Sequence, residues 1–278
     1  MDLNSYAKIN LSLKVNSKNK FGMHEIQSHF CLVNLSDKIK IRKIRAKKDK
    51  INFIGPYANL VNKKNNSVTN LLKLLRSLNL VSSFYSIRII KNIPVFGGLG
   101  GGSSNSAYTL KFLLKNRVTK NLLSKVEKKI GSDIRLFFYK RGFLKNLTTI
   151  IDYKKKEKLF FLLVQPKIKC STKEIYSGVN RYSKKKSFIK DNLSTKKKYI
   201  NFLSKQDNDL QSVVEKKYPL IKKILKDIKN ENGCYFSRMT GSGSVCYGLF
   251  IEEIASKKAL YKLRIRYPKF WFSLAKTI

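Results

Sequence analysis

The sequence predicts an α+β protein, in which strands and helices follow one another along a chain of 278 residues. Apolar residues alternate with polar ones through residues 6–15, which is the pattern of a half-buried strand. Residues 85–90 repeat this alternation, and residues 107–114 carry apolar side chains at helical spacing. A glycine-rich run lies between these two segments. The chain therefore predicts an N-terminal strand and, further on, a strand, a glycine loop and a helix.

A polar, lysine-rich segment at 152–158 is typical of a linker. It divides the chain into two predicted domains, residues 1–157 and residues 158–278. A chain of this length buries a substantial core. In the second domain we expect, in order, a strand at 159–164, a mainly polar loop or helix region, helices near 207–217 and 220–229, and a strand after Gly241.

Composition argues against several classes of protein. Lys and Arg number 59 against 17 Asp and Glu, a formal net charge of +42. Such a charge often indicates nucleic-acid binding, but the lysines are spread along the chain, so we interpret them as solvated surface charge. We see no secretory leader and no apolar run of membrane-spanning length, and we expect a cytoplasmic protein. The four cysteines lack the spacing of a disulfide framework or a zinc site.

The glycine-rich run at 93–107 is the most informative segment. Glycines allow backbone amides to approach an anion closely, and the start of the following helix offers unpaired N–H groups and the positive end of a dipole. We therefore predict a phosphate site formed by amides and by the hydroxyls of Ser103 and Ser104. The lysine of a Walker A motif and the acidic residue of a dinucleotide fingerprint are both missing. A flexible linker is the alternative interpretation.

Residues 94–107 read Pro-x-x-x-Gly-Leu-Gly-Gly-Gly-Ser-Ser-x-x-Ala, which resembles the phosphate loop of the GHMP kinases. The triple glycine is similar to the branch of that family that acts on 4-diphosphocytidyl-2-C-methyl-D-erythritol. The resemblance implies an N-terminal domain like domain 2 of ribosomal protein S5, a ferredoxin-like C-terminal domain, and a site in the cleft between them. It implies ATP as a cofactor, with Mg²⁺ inferred from ATP chemistry. The implied nucleotide contacts are Pro94, Val95, Phe96, Gly97, Gly98, Leu99, Gly100, Gly101, Gly102, Ser103, Ser104, Gly241, Ser242 and Gly243.

Two further motifs resemble catalytic segments of the family. The Ala-Lys-x-Asn-Leu strand implies that Lys8 stabilises charge on the transferred phosphoryl group. The Gly-Ser-Asp-Ile segment implies that Asp133 is the base that takes the acceptor's proton. The residues alone are also consistent with a solvated strand face at Lys8 and a helix cap at Asp133. Arg135 stands where the family pattern has proline.

The remaining motifs imply contacts to the acceptor. His24 matches a histidine that hydrogen-bonds cytosine, although Met23 replaces the neighbouring tyrosine of the family pattern. Thr172 and Tyr176 lie one helical turn apart, and Tyr176 is the expected cytosine-stacking ring. The alternatives are that His24 is structural, that Thr172 caps a helix and that Tyr176 lies in the core. His29 matches no motif and is expected to be structural. The implied acceptor-binding residues are Asn10, His24, Thr172 and Tyr176.

The resemblance thus implies ATP-dependent phosphorylation of the 2-hydroxyl of 4-diphosphocytidyl-2-C-methyl-D-erythritol, in the non-mevalonate route to isoprenoid precursors. No residue cluster predicts a protein-built metal cage. We expect no nucleic-acid or membrane partner, and a monomer or a homodimer. Three alternatives stay open: a GHMP kinase with a homoserine or mevalonate-like acceptor, an RNA-binding protein on the S5-like fold, and an inactive relative, since Met23, Arg135 and Asn146 depart from the family pattern.

Overall fold

A computed structural model describes residues 2–19, 22–153, 157–187 and 195–278. Residues 154–156 of the predicted linker lie outside the described residues. The described strands are β1 Asp2–Asn10, β2 Lys14–Lys18, β3 His24–Ile44, β4 Lys50–Ile54, β5 Phe84–Ile90, β6 Arg141–Asn146, β7 Thr149–Asp152, β8 Phe160–Gln165, β9 Cys234–Met239, β10 Cys246–Phe250 and β11 Trp271–Lys276. The described α-helices are α1 Ser67–Ser77, α2 Gly101–Leu114, α3 Lys120–Ile130, α4 Thr172–Ser177, α5 Lys196–Ser204, α6 Asp209–Lys217, α7 Pro219–Lys229 and α8 Glu253–Arg266.

The chain folds into two compact units that interleave along the sequence. Unit 1 consists of Met1–Lys8, Leu35–Val95 and Gly100–Lys140. Unit 2 consists of Ile9–Asn34, Phe96–Leu99 and Arg141–Ile278. The glycine-rich loop therefore contributes residues to both units. The predicted division at residue 157 follows chain order and stays a prediction.

Unit 1 is built on the second half of β3 and the strands paired with it. β5 runs antiparallel to β3, and β4 runs parallel to β5. Alternating isoleucines on β3 and β5 face one core, because successive side chains of a strand point to opposite faces. Helix α1, whose first turn is capped by the Asn66 side chain, covers this core. The buried cluster consists of Ile39, Ile41, Phe53, Ala58, Val68, Leu72, Ile87 and Ile89.

Unit 2 contains a four-stranded antiparallel sheet with the strand order β11-β8-β10-β9. Along the chain this sheet and its helices have the order β8, α7, β9, β10, α8 and β11, with α4, α5 and α6 inserted between β8 and α7. Apart from that insertion, this is the split βαβ arrangement of ferredoxin-like folds. Phe161, Leu162, Leu163 and Val164 of β8 are fully buried, as expected for a central strand covered on both faces. The α+β class and the ferredoxin-like second half are therefore confirmed.

The helices and strands predicted around the glycine loop are confirmed, whereas the strand predicted at 6–15 is wrong in one respect. The structure breaks it between β1 and β2, where the amides of Leu11 and Ser12 both donate to the carbonyl of His29. The polar face of this segment is also buried rather than solvated: Lys8 is 3% exposed and Asn10 is 2% exposed. These polar groups tolerate burial because they are paired. The side-chain amide of Asn10, for example, donates to Ser28 Oγ at 2.8 Å.

None of the helices in the described part of the chain is both long and apolar enough to cross a bilayer.

Candidate active site

Lys8 and Asp133 form an ion pair in unit 1. The distance from Lys8 Nζ to Asp133 Oδ2 is 3.2 Å. The lysine side chain is 4% exposed and the aspartate side chain 33% exposed, so the carboxylate faces solvent while the ammonium is enclosed. Asp133 is the second residue of a 3₁₀ helix, Ser132–Phe138, and its side chain does not cap that helix. The solvated-lysine and helix-cap interpretations are therefore both wrong here.

The start of helix α2 lies beside this pair. Gly100 precedes the helix with φ of +70°, a left-handed conformation that favours glycine. A Cβ on Gly100 would lie 3.2 Å from Lys8 Cε and 2.8 Å from Phe137 Cζ, so only glycine fits between them. In the described structure no side chain caps this helix and no acidic residue occupies its first turn. Its leading amides are thus available to an anion.

The two loop serines, Ser103 and Ser104, lie in different surroundings. Ser104 is fully buried, and its hydroxyl donates to the Tyr6 carbonyl at 2.6 Å and lies 2.7 Å from Ser5 Oγ. Its amide donates to the Gly100 carbonyl at 2.8 Å. Both polar groups of Ser104 are therefore engaged within unit 1, which favours anchoring of the helix to β1 over a phosphate contact. Ser103 is partly exposed, and its contact to phosphate stays a prediction.

Residues 96–99 of the loop belong to unit 2, where they pack on the turn between β9 and β10. The Ser244 amide donates to the Phe96 carbonyl at 3.0 Å, and the Val245 amide donates to the Gly97 carbonyl at 3.3 Å. A Cβ on Gly98 would overlap the Thr240 carbonyl oxygen. The two predicted glycine segments, 96–99 and 241–243, are therefore in direct contact, as their pairing in one motif set implies.

A further side chain holds the second glycine segment in place. The Asn208 amide donates to the carbonyls of Met239 and Gly241, each at 2.8 Å, while its oxygen caps α6 by accepting from the Leu210 amide. Asn10 also approaches this turn, because its backbone amide donates to Thr240 Oγ1 at 2.9 Å. These contacts fix the turn at Gly241 on both sides.

The residues expected to bind the acceptor come together in two groups within unit 2. The rings of His24 and Tyr176 lie 5.1 Å apart at 33°, a distance and tilt within the range of ring packing. Thr172 Oγ1 lies 3.0 Å from Ser242 Oγ, which connects it to the second glycine segment. Ser171, rather than Thr172, caps α4, so the capping interpretation of Thr172 is wrong.

One neighbour of His24 was missed by sequence reasoning. Tyr182 lies 6.3 Å from the His24 ring and is 48% exposed. No motif marks Tyr182, and the only signal would have been an aromatic residue six positions after Tyr176. Burial, and secondly the charge of Lys18, lower the pKa of His24. Both effects favour the neutral imidazole, which has one donor and one acceptor nitrogen.

His29 and Arg135 are structural. His29 stacks on Phe143 with a 4.6 Å ring separation and hydrogen-bonds Tyr153; burial lowers the pKa of His29 to about 3, so it stays neutral. Arg135 forms a paired contact with the Glu127 carboxylate, with Nε to Oε1 at 2.7 Å. This ion pair ties the helix carrying Asp133 to α3, which explains how the segment is held without the proline of the family pattern.

The residues beside the loop fit a magnesium ion carried by nucleotide phosphates. Such an ion takes one or two carboxylates and keeps most of its other ligands from phosphate and water. Ser103 supplies a partly exposed hydroxyl, whereas the Asp133 carboxylate is paired with Lys8. A complete protein cage is not present among the described residues, which contain no cluster of three or more His, Cys, Asp or Glu placed to hold a metal.

Comparison with known proteins assigns the chain to a class. Residues 65–140 match the family model "GHMP kinases N terminal domain", and residues 185–269 match "GHMP kinases C terminal". The chain belongs to the GHMP kinase family. A relative in Pelagibacter ubique (strain HTCC1062), named 4-diphosphocytidyl-2-C-methyl-D-erythritol kinase, is 35% identical over 99% of this chain and 98% of its own length.

Solved structures show the same fold. A crystal structure of 4-(cytidine 5'-diphospho)-2C-methyl-D-erythritol kinase superimposes with a TM-score of 0.75 at 21% identity, covering 99% of each chain. A homoserine kinase from Cytophaga hutchinsonii superimposes with a TM-score of 0.72 at 16% identity, covering 100% of this chain and 94% of the other. At these identities the likeness concerns the fold, and the acceptor has to be argued from the site.

Proposed function

We propose that this protein transfers the γ-phosphoryl group of ATP to the 2-hydroxyl of 4-diphosphocytidyl-2-C-methyl-D-erythritol, a step in the formation of isoprenoid precursors. The observation that carries the proposal is the Lys8–Asp133 ion pair beside the uncapped start of α2. A partly exposed base, an enclosed cation and free helical amides are what transfer to an alcohol requires. The name of the 35% identical relative supports the same acceptor.

In the proposed reaction an Asp133 oxygen accepts the proton of the 2-hydroxyl as that oxygen attacks the γ-phosphorus. The bond from the γ-phosphorus to the bridging oxygen breaks, and ADP leaves with the electron pair. Lys8 orients the carboxylate through the 3.2 Å contact and offsets negative charge that builds on the transferred group. When bound with ATP, Mg²⁺ would neutralise phosphate charge, with the Ser103 hydroxyl as its protein contact and its other ligands from phosphate and water.

Amides at the start of α2 and in residues 96–99 would hold the phosphates of ATP, with Gly241, Ser242 and Gly243 supporting the loop. The cytidyl end of the acceptor would bind at His24, whose neutral imidazole has a donor and an acceptor for the cytosine edge. Tyr176 supplies a ring face for stacking. Thr172 and Asn10 would contact the remaining hydroxyl and phosphate groups of the acceptor.

The aromatic group around His24 favours a nucleobase over a homoserine or mevalonate-like acceptor. His24, Tyr176 and Tyr182 form a cluster of three rings, and small aliphatic acceptors offer nothing for such rings to stack on. Competition separates the acceptors: CMP should inhibit transfer competitively against the acceptor, and homoserine and mevalonate should neither inhibit nor be phosphorylated. Steep, salt-dependent RNA binding without ATP turnover would instead favour the RNA-binding alternative. A cytoplasmic location and a monomeric or homodimeric state stay predictions.

The direct test is ADP formation from ATP that depends on the cytidyl acceptor. Asp133→Asn and Lys8→Ala should each lower kcat by at least about a hundredfold, the usual contribution of a positioned base or charge. Asp2→Asn and Lys40→Ala are matched controls, because these two residues form a solvent-exposed pair in the same unit with a 4.0 Å separation. Near-normal turnover in both site variants would refute the assigned roles.

A further inference from the structure

A buried polar network lies under the start of α2 in unit 1. Asp37, Lys91 and Asn105 are 0%, 3% and 2% exposed. The Lys91 ammonium pairs with Asp37 Oδ2 and also donates to Asn105 Oδ1 at 3.2 Å. The Asn105 amide donates to Asp37 Oδ2 at 2.9 Å. The kinase mechanism above does not use any of these three side chains.

The network joins three segments that carry the proposed catalytic machinery. Asp37 Oδ1 accepts the amides of Asn92 at 2.7 Å and Ile93 at 2.8 Å, which fixes the chain just before the glycine loop. The Asn105 amide also donates to Ser5 Oγ at 3.0 Å, on the strand that carries Lys8. Asn105 itself lies in the first turns of α2. The loop entry and the start of α2 therefore bond to one buried carboxylate, and Asn105 links the strand of Lys8 to the same network.

The position of the Lys91 charge relates the network to phosphate binding. A Cβ on Gly101, the first residue of α2, would lie 3.2 Å from Lys91 Nζ. The ammonium thus lies directly against the backbone whose amides face the predicted phosphate. A buried charge in this place acts on a bound anion through protein rather than through water, so it is weakly screened.

We propose that Asp37 and Lys91 are positioning residues for ATP: they fix the phosphate loop, and Lys91 cancels the carboxylate charge that would otherwise repel the triphosphate. This inference rests on the proposed ATP site. The buried carboxylate is needed to tie down the loop entry, since backbone amides bind an ionised acceptor best. Because it lies beneath an anion site, the same carboxylate would weaken phosphate binding unless a cation neutralised its charge.

Removing the two partners of this pair should have different effects on ATP binding. Lys91→Met leaves Asp37 with three N–H donors and no counter-charge, so the dissociation constant for ATP should rise about tenfold or more, the effect of one charge roughly 10 Å away at an effective dielectric constant near 20. Asp37→Asn leaves the cation, so ATP should bind within about twofold of the parent or more tightly. A purely structural pair would weaken ATP binding in both variants.

The experiment measures ATP binding by calorimetry in the full chain, with thermal unfolding followed in parallel. Inorganic tripolyphosphate, which lacks the base and sugar, should show the same difference between the two variants, because the proposed effect acts on the phosphates. The double variant Lys91→Met/Asp37→Asn leaves no unpaired charge and should bind ATP within about threefold of the parent. If Lys91→Met does not fold, ATP binding by this double variant is the measurement that tests the proposal.

Arg76 and Asp49 provide a matched control pair. Their ion pair is also in unit 1, at 2.7 Å, and Asp49 likewise accepts a backbone amide, that of Tyr85, at 2.7 Å. Arg76→Met and Asp49→Asn should lower the unfolding temperature without changing ATP affinity. Equal weakening by both Lys91→Met and Asp37→Asn, or a double variant as weak as Lys91→Met, would overturn the proposal. A parent protein that binds no ATP would instead refute the proposed function.

Discussion

In the proposed function, the choice of acceptor depends on His24 and the two tyrosines next to it, Tyr176 and Tyr182. The position after Gly22 holds Met23, whose side chain is 49% exposed, instead of the aromatic ring of the family pattern. Tyr182, also about half exposed, approaches His24 from a segment without any recognisable motif. We infer that Tyr182 supplies the aromatic ring that is missing at Met23.

The rings of Tyr176 and Tyr182 lead to a prediction for the affinity of the acceptor. Tyr176→Ala and Tyr182→Ala should each raise the KM for the cytidyl acceptor about three- to tenfold, because one aromatic stacking contact contributes about 0.5–1.5 kcal/mol. The kcat should stay within about twofold, since neither ring contacts the reacting atoms in the proposed pose. Steady-state kinetics with varied acceptor would check this. Tyr261→Ala is the control, because Tyr261 is 76% exposed on α8; an unchanged KM in Tyr182→Ala would remove that residue from the site.

Motif resemblance singled out Lys8 and Asp133, which the structure brings together as an ion pair. It could not show which polar groups are already hydrogen-bonded within the protein. Ser104 lies at a position of the motif that is expected to contact phosphate, yet its hydroxyl donates to the Tyr6 carbonyl. Lys91 precedes the glycine loop as one lysine among many in a highly basic chain, and its pairing with Asp37 spans 54 positions. Contacts of this range depend on the tertiary fold, and a single sequence carries no local signal for them.

At the scale of elements, the strands and helices with strong periodicity were predictable, and the irregular connections were not. β5, α2, α6 and α7 lie where the spacing of apolar residues puts them. The N-terminal strand was predicted as continuous because Ile9, Leu11, Leu13 and Val15 alternate without interruption. All four are buried, but the backbone at Leu11 turns to share a carbonyl of β3, and side-chain alternation does not report that change in pairing.

The glycine loop yields a prediction for an element. Gly98 has φ of +71°, and a Cβ there would overlap the Thr240 carbonyl oxygen. Gly98→Ala should therefore displace residues 96–99 from the β9–β10 turn and raise the KM for ATP about tenfold or more, since both strain and overlap act on the backbone. Gly22→Ala is the matched control, with φ of +78° but its nearest neighbour 4.0 Å away.

Kinetics with varied ATP would separate the two glycine variants. Both substitutions carry the strain of a left-handed alanine, so any difference between them measures the close approach to Thr240. An ATP KM in Gly98→Ala equal to that of Gly22→Ala would show that contact with the second glycine segment is not needed for nucleotide binding.

Across the whole molecule, the dominant physical quantity is the net charge of +42. With 17 acidic residues for 59 basic ones, most lysines and arginines have no carboxylate to pair with, however the chain folds. Like charges at this density repel one another and oppose the compact state, while their field attracts polyanions such as ATP. Salt should therefore act in opposite directions on stability and on substrate binding.

Salt should therefore raise both the unfolding temperature and the KM for ATP. Between about 20 mM and about 200 mM NaCl, where the screening length falls from about 20 Å to below 10 Å, the unfolding temperature should rise by about 2–4 °C for each kcal/mol of repulsion relieved. Over the same range the KM for ATP should increase several-fold, because the attractive field is screened as well. Calorimetric unfolding and initial rates at matched salt would measure both. If the unfolding temperature falls with salt, attractive ion pairs at the surface, such as Asp2–Lys40 and Glu253–Lys257, outweigh the surface repulsion. The lysine excess would then carry little energetic cost in this fold.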